Sequence, residues 1–180
     1  HYDSGSGVDY NRAGTPLMEI VTEPDIASAE AAFAYLVALK QILSYGGVSG
    51  CNLEQGNMRC DVNSSVAPRG SDTLGVKTGI KNMNTFKGVR DALAHEIKRQ
   101  IREVKAGGVI RQETRRWDDL AGQTVSMRAK EYAHDYRYFP DPDLMPIVLT
   151  AEKVEAIRAS LPELPAARRA RYVSDLGLPE

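Results

Sequence analysis

The chain has 180 residues, of which 42% are hydrophobic and 26% charged, and its 23 Lys and Arg residues against 24 Asp and Glu residues give a net charge of −1. This composition excludes a disordered chain and an overall basic surface for nucleic acids, so any nucleic-acid contact must come from local patches. No apolar run reaches the roughly 20 residues of a membrane span, and residues 1–7 lack the features of a signal peptide.

Cys51 and Cys60 are the only cysteines, and they form neither a CxxC motif nor a Cys/His cluster. This usage favours reduced thiols in a cytoplasmic protein over a disulfide framework or a zinc site. The chain starts without Met, opens on Gly- and Ser-rich sequence and ends shortly after Gly177, a residue suited to a helix C-cap. We therefore expect a fragment of a longer protein.

A single carboxylate, Glu19, interrupts the apolar run at residues 17–21. We predict a strand from Pro16 to Thr22, where a buried charge would cost on the order of several kcal/mol unless a cation, a metal or hydrogen bonds compensate it. Two interpretations are open. Either the strand lies at a sheet edge and Glu19 points to water, or the carboxylate is a ligand in a site.

The first predicted helix begins after Ser28, which can cap it, and runs to about Tyr45. Gly46 and Gly47 end it. Apolar residues recur along it at intervals of three and four and form one core-facing stripe. The stripe consists of Ala32, Tyr35, Leu36, Leu39, Ile42 and Leu43.

Two strand patterns follow, over residues 53–66 and 75–84, and each has one apolar and one polar face. The apolar positions are Met58, Cys60 and Val62, then Val76, Thr78 and Ile80. The polar positions are Arg59, Asp61 and Asn63, then Lys77, Gly79 and Lys81. Short strands with this alternation favour an antiparallel sheet covered on one face, and hence an α+β fold.

A long helix is predicted from about Thr85 to Ala106, and two further strands from Val109 to Trp117 and from Thr124 to Lys130. The inner stripe of the helix consists of Phe86, Val89, Leu93, Ile97, Ile101 and Val104. Its basic outer side is either a solvated face or an RNA contact. In the first of the two strands, the residues expected to share one face are Arg111, Glu113, Arg115 and Trp117.

Residues 134–143 combine aromatic rings, an arginine and prolines in an extended loop. Rings beside an arginine suit stacking on a base or a terminal adenosine, although a proline-fixed loop that plugs the core is an equal alternative. From Thr150 the chain becomes helical, and Pro165 fits the first turn of a last helix that carries Arg168, Arg169 and Arg171. We predict two units, residues 1–147 and 148–180.

The polar residues of the predicted sheet indicate phosphate and metal chemistry. Glu19 and Asp61 are oxygen ligands of the kind that hold Mg²⁺, and the nearby cations suit phosphate groups. These cations are Arg59, Lys77 and Lys81. The sequence contains neither a Walker-type phosphate loop nor a Gly-x-Ser-x-Gly motif, so hydrolysis by an internal nucleophile is unsupported.

Several long motifs, in order over nearly the whole chain, resemble the B subunit of the aspartyl/glutamyl-tRNA amidotransferase. The first is VDYNRAGTPLMEIVTEPD at residues 8–25, and the others are MRCDVN at 58–63, IKNMN at 80–84, QETR at 112–115 and DYRYFP at 135–140. The resemblance implies a cradle domain built on an antiparallel sheet, like that of glutamine synthetase and guanido kinases, followed by the start of a helical domain.

The resemblance also implies a reaction. ATP and Mg²⁺ are used to phosphorylate the side-chain carboxylate of Glu-tRNA(Gln) or Asp-tRNA(Asn), and ammonia from a partner amidase (A) subunit then displaces the phosphate; a small C subunit completes the complex. The implied metal ligands are Glu19 and Asp61, which with Arg59 and Lys81 form the catalytic set. The implied nucleotide contacts are Asn63, Lys77, Arg115, Tyr136 and Arg137.

The chain departs from the family pattern at Gly79, where the family has an acidic residue that faces the metal. A Glu-x-His strand and a Met-Glu-Glu segment of the family would precede residue 1, so we expect this fragment alone to be inactive. The alternative to a catalytic subunit is a noncatalytic tRNA-binding or scaffold subunit with a degraded metal site.

Overall fold

The computed structural model describes residues 5–129, 140 and 142–179, which contain four helices and one four-stranded sheet. The helices are α1 (Ala29–Tyr45), α2 (Phe86–Lys105), α3 (Ala151–Ser160) and α4 (Pro165–Leu176). The strands are β1 (Val62–Ser64), β2 (Thr78–Lys81), β3 (Glu113–Asp118) and β4 (Gln123–Ala129). The α+β class is thereby confirmed, and no helix in these ranges is long and apolar enough to cross a membrane.

The sheet is mixed, so the prediction of a purely antiparallel sheet was wrong for the central pair of strands. The strand order is β1-β2-β3-β4; β1 pairs with β2 and β3 with β4 in antiparallel register, whereas β2 and β3 are parallel. Helix α2 connects β2 to β3 as a crossover, and such a crossover returns the chain to the same end of the sheet. The long helix therefore covers the face that it crosses.

Helix α1 begins at its predicted cap, Ser28, and α2 begins after Thr85, where its predicted range starts. The Ser28 hydroxyl accepts a hydrogen bond from the Ala31 amide at 3.0 Å, and the Thr85 hydroxyl accepts one from the Gly88 amide at 2.9 Å. The two helices pack against one face of the sheet and enclose the core with it. The core consists of Ala29, Ala32, Leu36, Ile80, Met83, Val89, Ala92, Leu93 and Trp117.

The inner face of α2 differs from the predicted stripe in its second half. Ile101 and Val104 are 39% and 51% exposed, whereas Glu96 and Gln100 are fully buried. The apolar period alone selected the wrong residues there, because this part of α2 meets the sheet through hydrogen bonds instead of apolar contacts. Burial of polar side chains at such positions requires partners, and the sheet provides them.

Residues 15–23 have no regular secondary structure and are exposed, so the strand predicted from Pro16 to Thr22 was wrong. Apolar and β-branched residues favour a strand only where a neighbouring strand pairs with them, and none of the four described strands pairs with this segment. Upstream, the Arg12 guanidinium donates hydrogen bonds to the carbonyl oxygens of Gln55 and Gly56 at 3.5 and 3.3 Å.

The last two helices have the predicted starts. Thr150 caps α3 by accepting from the Lys153 amide at 3.3 Å, and Pro165 occupies the first turn of α4, which ends at Gly177 with a φ of 62°. The Arg168 guanidinium lies 5.1 Å from the centre of the Tyr45 ring on α1. The predicted division between residues 147 and 148 stays a prediction.

Candidate functional site

The polar face of β1 and β2 brings Asp61 and Lys81 together. The Lys81 ammonium lies 3.3 Å from the Asp61 carboxylate, and both side chains are about half exposed, at 53% and 49%. Val62 is paired with Ile80 in the ladder, so Asp61 and Lys81 are the next opposed residues on the other face. The predicted alternation is confirmed for Met58, Cys60 and Val62, which pack against the core. It was wrong for Val76, predicted on the apolar face of the second segment, which lies before β2 and is exposed.

Gly79 lies beside this ion pair. It is paired with Asn63 in the ladder, and a Cβ atom built on Gly79 would lie 3.5 Å from the Asn63 amide oxygen, 3.9 Å from the Glu113 carbonyl oxygen and 4.0 Å from the Thr114 hydroxyl. These are ordinary contact distances, so a Cβ atom fits at this position without a clash. Arg59 and Lys77, the other predicted cations, are also exposed.

The charge of Asp61 acts on the thiol that precedes it. Burial, and to a smaller degree the nearby Asp61 carboxylate, raise the pKa of Cys60 to about 11. The thiol is therefore protonated at neutral pH and is not a nucleophile there. Cys60 and Cys51 are both free, as the sequence predicted.

Arg115 lies on the other face of the sheet, away from Asp61 and Lys81. In the ladder it is paired with Ile80, the residue whose side chain enters the core. Its guanidinium donates to the Glu113 carboxylate at 2.6 Å and to the Thr124 hydroxyl and carbonyl at 3.0 and 2.9 Å. The predicted contact of Arg115 with a nucleotide stays a prediction that this geometry does not favour.

A buried polar network between α2 and the sheet was not predicted. The Glu96 carboxylate is fully buried and accepts hydrogen bonds from Arg99 at 2.7 and 3.0 Å, from Gln100 at 2.9 Å and from the Thr124 hydroxyl at 2.9 Å. Burial alone would raise its pKa, but these hydrogen bonds together hold the pKa below its ordinary value. The available sequence signal was the spacing of Glu96, Arg99 and Gln100, three and four positions apart on the predicted helix.

Three further predicted site residues remain, namely Glu19, Tyr136 and Arg137. Glu19 is exposed in the irregular segment 15–23, so its carboxylate is not a charge in a buried strand, and its predicted metal role rests on the resemblance alone. Tyr136 and Arg137 lie outside the described residues.

Asp61 and Asn63 are the oxygen donors on this face that could hold a metal. Within residues 5–129, 140 and 142–179, no group of three or more His, Cys, Asp and Glu side chains could do so. Mg²⁺ differs from structural metals in this respect, because it is commonly bound through one or two carboxylates, substrate phosphates and several waters. A carboxylate and an amide oxygen beside a lysine fit that manner of binding.

The comparisons with known proteins agree with the resemblance in the motifs. Residues 1–155 match the family described as the GatB/GatE catalytic domain. Proteins named as the B subunit of aspartyl/glutamyl-tRNA(Asn/Gln) amidotransferase are 59% identical over 95% of the chain in Methylacidiphilum infernorum and 57% identical over 98% in Caldanaerobacter subterraneus. The chain spans 35% and 37% of the length of these relatives. It therefore belongs to the GatB/GatE catalytic-domain family.

Proposed function

We propose that this chain is part of the B subunit of a tRNA-dependent amidotransferase and carries part of its phosphoryl-transfer site. The observation that carries the proposal is the pair of Asp61 and Lys81 on the exposed face of the sheet, next to Asn63 and Gly79. In a chain of this family, a carboxylate, an amide and an ammonium group on one face suit the binding of a nucleotide's phosphates.

The proposed reaction is an ATP-dependent carbon–nitrogen ligation with glutamine as the amido donor. The γ-phosphoryl group of ATP is transferred to the side-chain carboxylate of Glu-tRNA(Gln) or Asp-tRNA(Asn), and ammonia then attacks the acyl phosphate. A carboxylate cannot lose an oxide ion, whereas an acyl phosphate readily loses phosphate. Phosphoryl transfer depends mainly on positioning and on neutralising the charge of the transferred group.

Each residue of the exposed face has a proposed part. The Lys81 ammonium stabilises negative charge on the transferred phosphoryl group, and the Asp61 carboxylate holds that ammonium in place. Arg59 and Lys77 are exposed cations that attract the polyphosphate, and the Asn63 amide nitrogen can donate a hydrogen bond to it.

Magnesium belongs to this proposal as the ion that accompanies ATP. Asp61 and the Asn63 amide oxygen would hold it, and the resemblance adds Glu19. When bound, Mg²⁺ neutralises phosphate charge and orients the phosphates. The presence of two ligand residues instead of a full cage is consistent with an ion held partly by phosphates and waters.

The partners, the cellular compartment and the domain division are also proposed. Partners are an amidase (A) subunit that releases ammonia from glutamine, a small C subunit, and misacylated tRNA(Gln), tRNA(Asn) or both, in the cytoplasm. The two free thiols suit such a reducing compartment. Residues 1–147 would form part of a cradle domain and residues 148–180 the start of a helical domain, which the helices α3 and α4 support.

A noncatalytic tRNA-binding or scaffold subunit with a degraded metal site is the second candidate. Gly79 favours it, because a glycine has no carboxylate for a metal, and so does the exposure of Glu19 in an irregular segment. On this hypothesis, the subunit would still bind tRNA and its partner subunits but would not transfer phosphate.

One experiment distinguishes the two candidates. The complete subunit, assembled with its amidase and C subunits, is incubated with ATP labelled at the γ-phosphate and with Glu-tRNA(Gln). We expect ADP formation that requires the misacylated tRNA, with correctly acylated Gln-tRNA(Gln) and uncharged tRNA as matched controls. Binding of Glu-tRNA(Gln) without ADP formation would support the noncatalytic subunit and contradict the proposal.

A further inference from the structure

The strand that carries Asn63 and follows Asp61 is weakly held by the sheet. Strand β1 has only three residues, lies at one edge of the sheet and forms its ladder with β2 alone among the described strands. The ion pair between Asp61 and Lys81 is half exposed, and such pairs contribute at most about 1 kcal/mol. Short edge segments with few hydrogen bonds open readily unless another element fixes them.

Helix α2 fixes this strand through Gln100, from the face opposite to the ion pair. The fully buried Gln100 amide donates to the Ser64 carbonyl of β1 at 3.1 Å and to the Glu96 carboxylate at 2.9 Å. Both partners are acceptors, so the amide nitrogen must point towards them. Glu96 is itself held by Arg99 and Thr124, and Gln100 therefore ties β1 to a rigid point between α2 and β4.

This arrangement has a free-energy cost at the Gln100 amide oxygen. It is buried and has no hydrogen-bond partner in the part of the chain that the structure describes. An unsatisfied buried acceptor costs about 1–3 kcal/mol. An apolar side chain of similar length would avoid this cost, so the two hydrogen bonds that Gln100 donates are what distinguishes it from such a residue.

We propose that Gln100 is a positioning residue for the phosphoryl-transfer site, an inference that rests on the proposed function. It holds β1 in register and thereby keeps Asp61 and Asn63 at fixed positions relative to Lys81. Loss of the donated bonds would let the edge strand move, and displacement of a charge-stabilising group by about 1 Å can lower a rate up to about a hundredfold.

The test compares Gln100→Met with wild type in the assembled complex. Met keeps the length and apolar body of the side chain but donates nothing to Ser64. Lys98→Met is the matched control, because Lys98 is exposed on the same helix. We expect hydrogen exchange at the amides of residues 62–64 to accelerate at least about tenfold, while exchange in the middle of α2 stays unchanged. The kcat/KM for ATP should fall about tenfold or more, and the KM for Glu-tRNA(Gln) should stay within about twofold.

Three results would overturn the inference: unchanged exchange at residues 62–64, exchange accelerated equally throughout α2 and the sheet, or a kcat/KM for ATP equal to that of Lys98→Met. If Gln100→Met does not fold, the same measurements are made on Gln100→Asn. Its amide group is one methylene shorter and cannot reach Ser64 in the same way. A wild-type complex without tRNA-dependent ADP formation would instead contradict the proposed function itself.

Discussion

Lys81 and Asp61 form an ion pair of 3.3 Å on the exposed face of the first strand pair, while the residue next to Lys81, Ile80, is fully buried on the other face. Because side chains alternate along a strand, one face of this strand pair packs in the core and the other is free for chemistry. The face that includes Ile80 packs against α1 and α2, and the opposite face displays charged and amide groups to solvent. Changes on the exposed face can therefore alter chemistry with little effect on the core.

Replacement of Gly79 by Glu should raise the affinity of the site for Mg²⁺. The position has room, since the nearest side-chain atom to an added Cβ would be the Asn63 amide oxygen at 3.5 Å. A third oxygen-bearing side chain beside Asp61 and Asn63 adds a negative ligand, and we expect about a tenfold lower Kd. Calorimetric titration of Mg²⁺ into the complete subunit with a non-hydrolysable ATP analogue measures this Kd. Gly79→Ala controls for bulk alone, and equal Kd values for Gly79→Glu and Gly79→Ala would refute the prediction.

The buried Glu96 should stabilise the fold in a pH-dependent way. Removal of one member of a buried, hydrogen-bonded charge network typically costs about 3–5 kcal/mol, so Glu96→Ala should lower the free energy of unfolding by about that amount at pH 7. Because the folded state lowers the pKa of Glu96, its contribution is full above the ordinary carboxylate pKa and is lost as the pH falls through the folded value.

Urea denaturation at a series of pH values measures this effect. The difference between wild type and Glu96→Ala should be largest near pH 7 and should shrink once the pH falls below the pKa of an unfolded glutamate. Glu54→Ala, in an exposed turn, is the control and should change little at any pH. A difference that is the same at pH 7 and at pH 3 would mean that the Glu96 charge contributes nothing.

Cys60 should react slowly with alkylating reagents. Burial and the Asp61 charge raise its pKa to about 11, so only about one thiol in a thousand is ionised at pH 8. Asp61→Asn removes one of the two causes and should accelerate alkylation of Cys60 but not of the buried Cys51. Peptide mass spectrometry after iodoacetamide treatment measures both sites. Equal rates at Cys60 in wild type and Asp61→Asn would show that the carboxylate does not act on the thiol.

The sequence predicted most of the fold where local chemistry decides it. Helix caps are local hydrogen bonds, and the two predicted caps, Ser28 and Thr150, both formed. The parallel pairing of β2 with β3 was missed because it depends on how α2 crosses the sheet, which strand periodicity does not encode. The strand predicted at Pro16 to Thr22 failed for the same reason, since a strand needs a neighbour that local sequence cannot provide.

The candidate site was predictable to a similar extent. Alternation along β1 and β2 placed Asp61, Asn63 and Lys81 on the exposed face correctly, because period two is a property of the strand itself. Arg115 was expected on the same face as Trp117. The hydrogen bonds that Arg115 donates to Thr124 on the neighbouring strand could not be predicted from the pattern of one strand. The burial of Glu96 depends on partners from α2 itself and from the distant strand β4, and this combination forms only in the folded chain.

The exposed face of β1 and β2 is proposed to take part in phosphoryl transfer. To test this role, Asp61→Asn and Lys81→Met are each assembled into the complete complex, and tRNA-dependent ADP formation is measured. Asp72→Asn and Lys98→Met are controls with the same chemical changes at exposed positions outside the site. We predict that each site variant lowers the rate about a hundredfold and that the controls stay within about twofold of wild type. Wild-type rates in Asp61→Asn and Lys81→Met would show that this face takes no part in phosphoryl transfer.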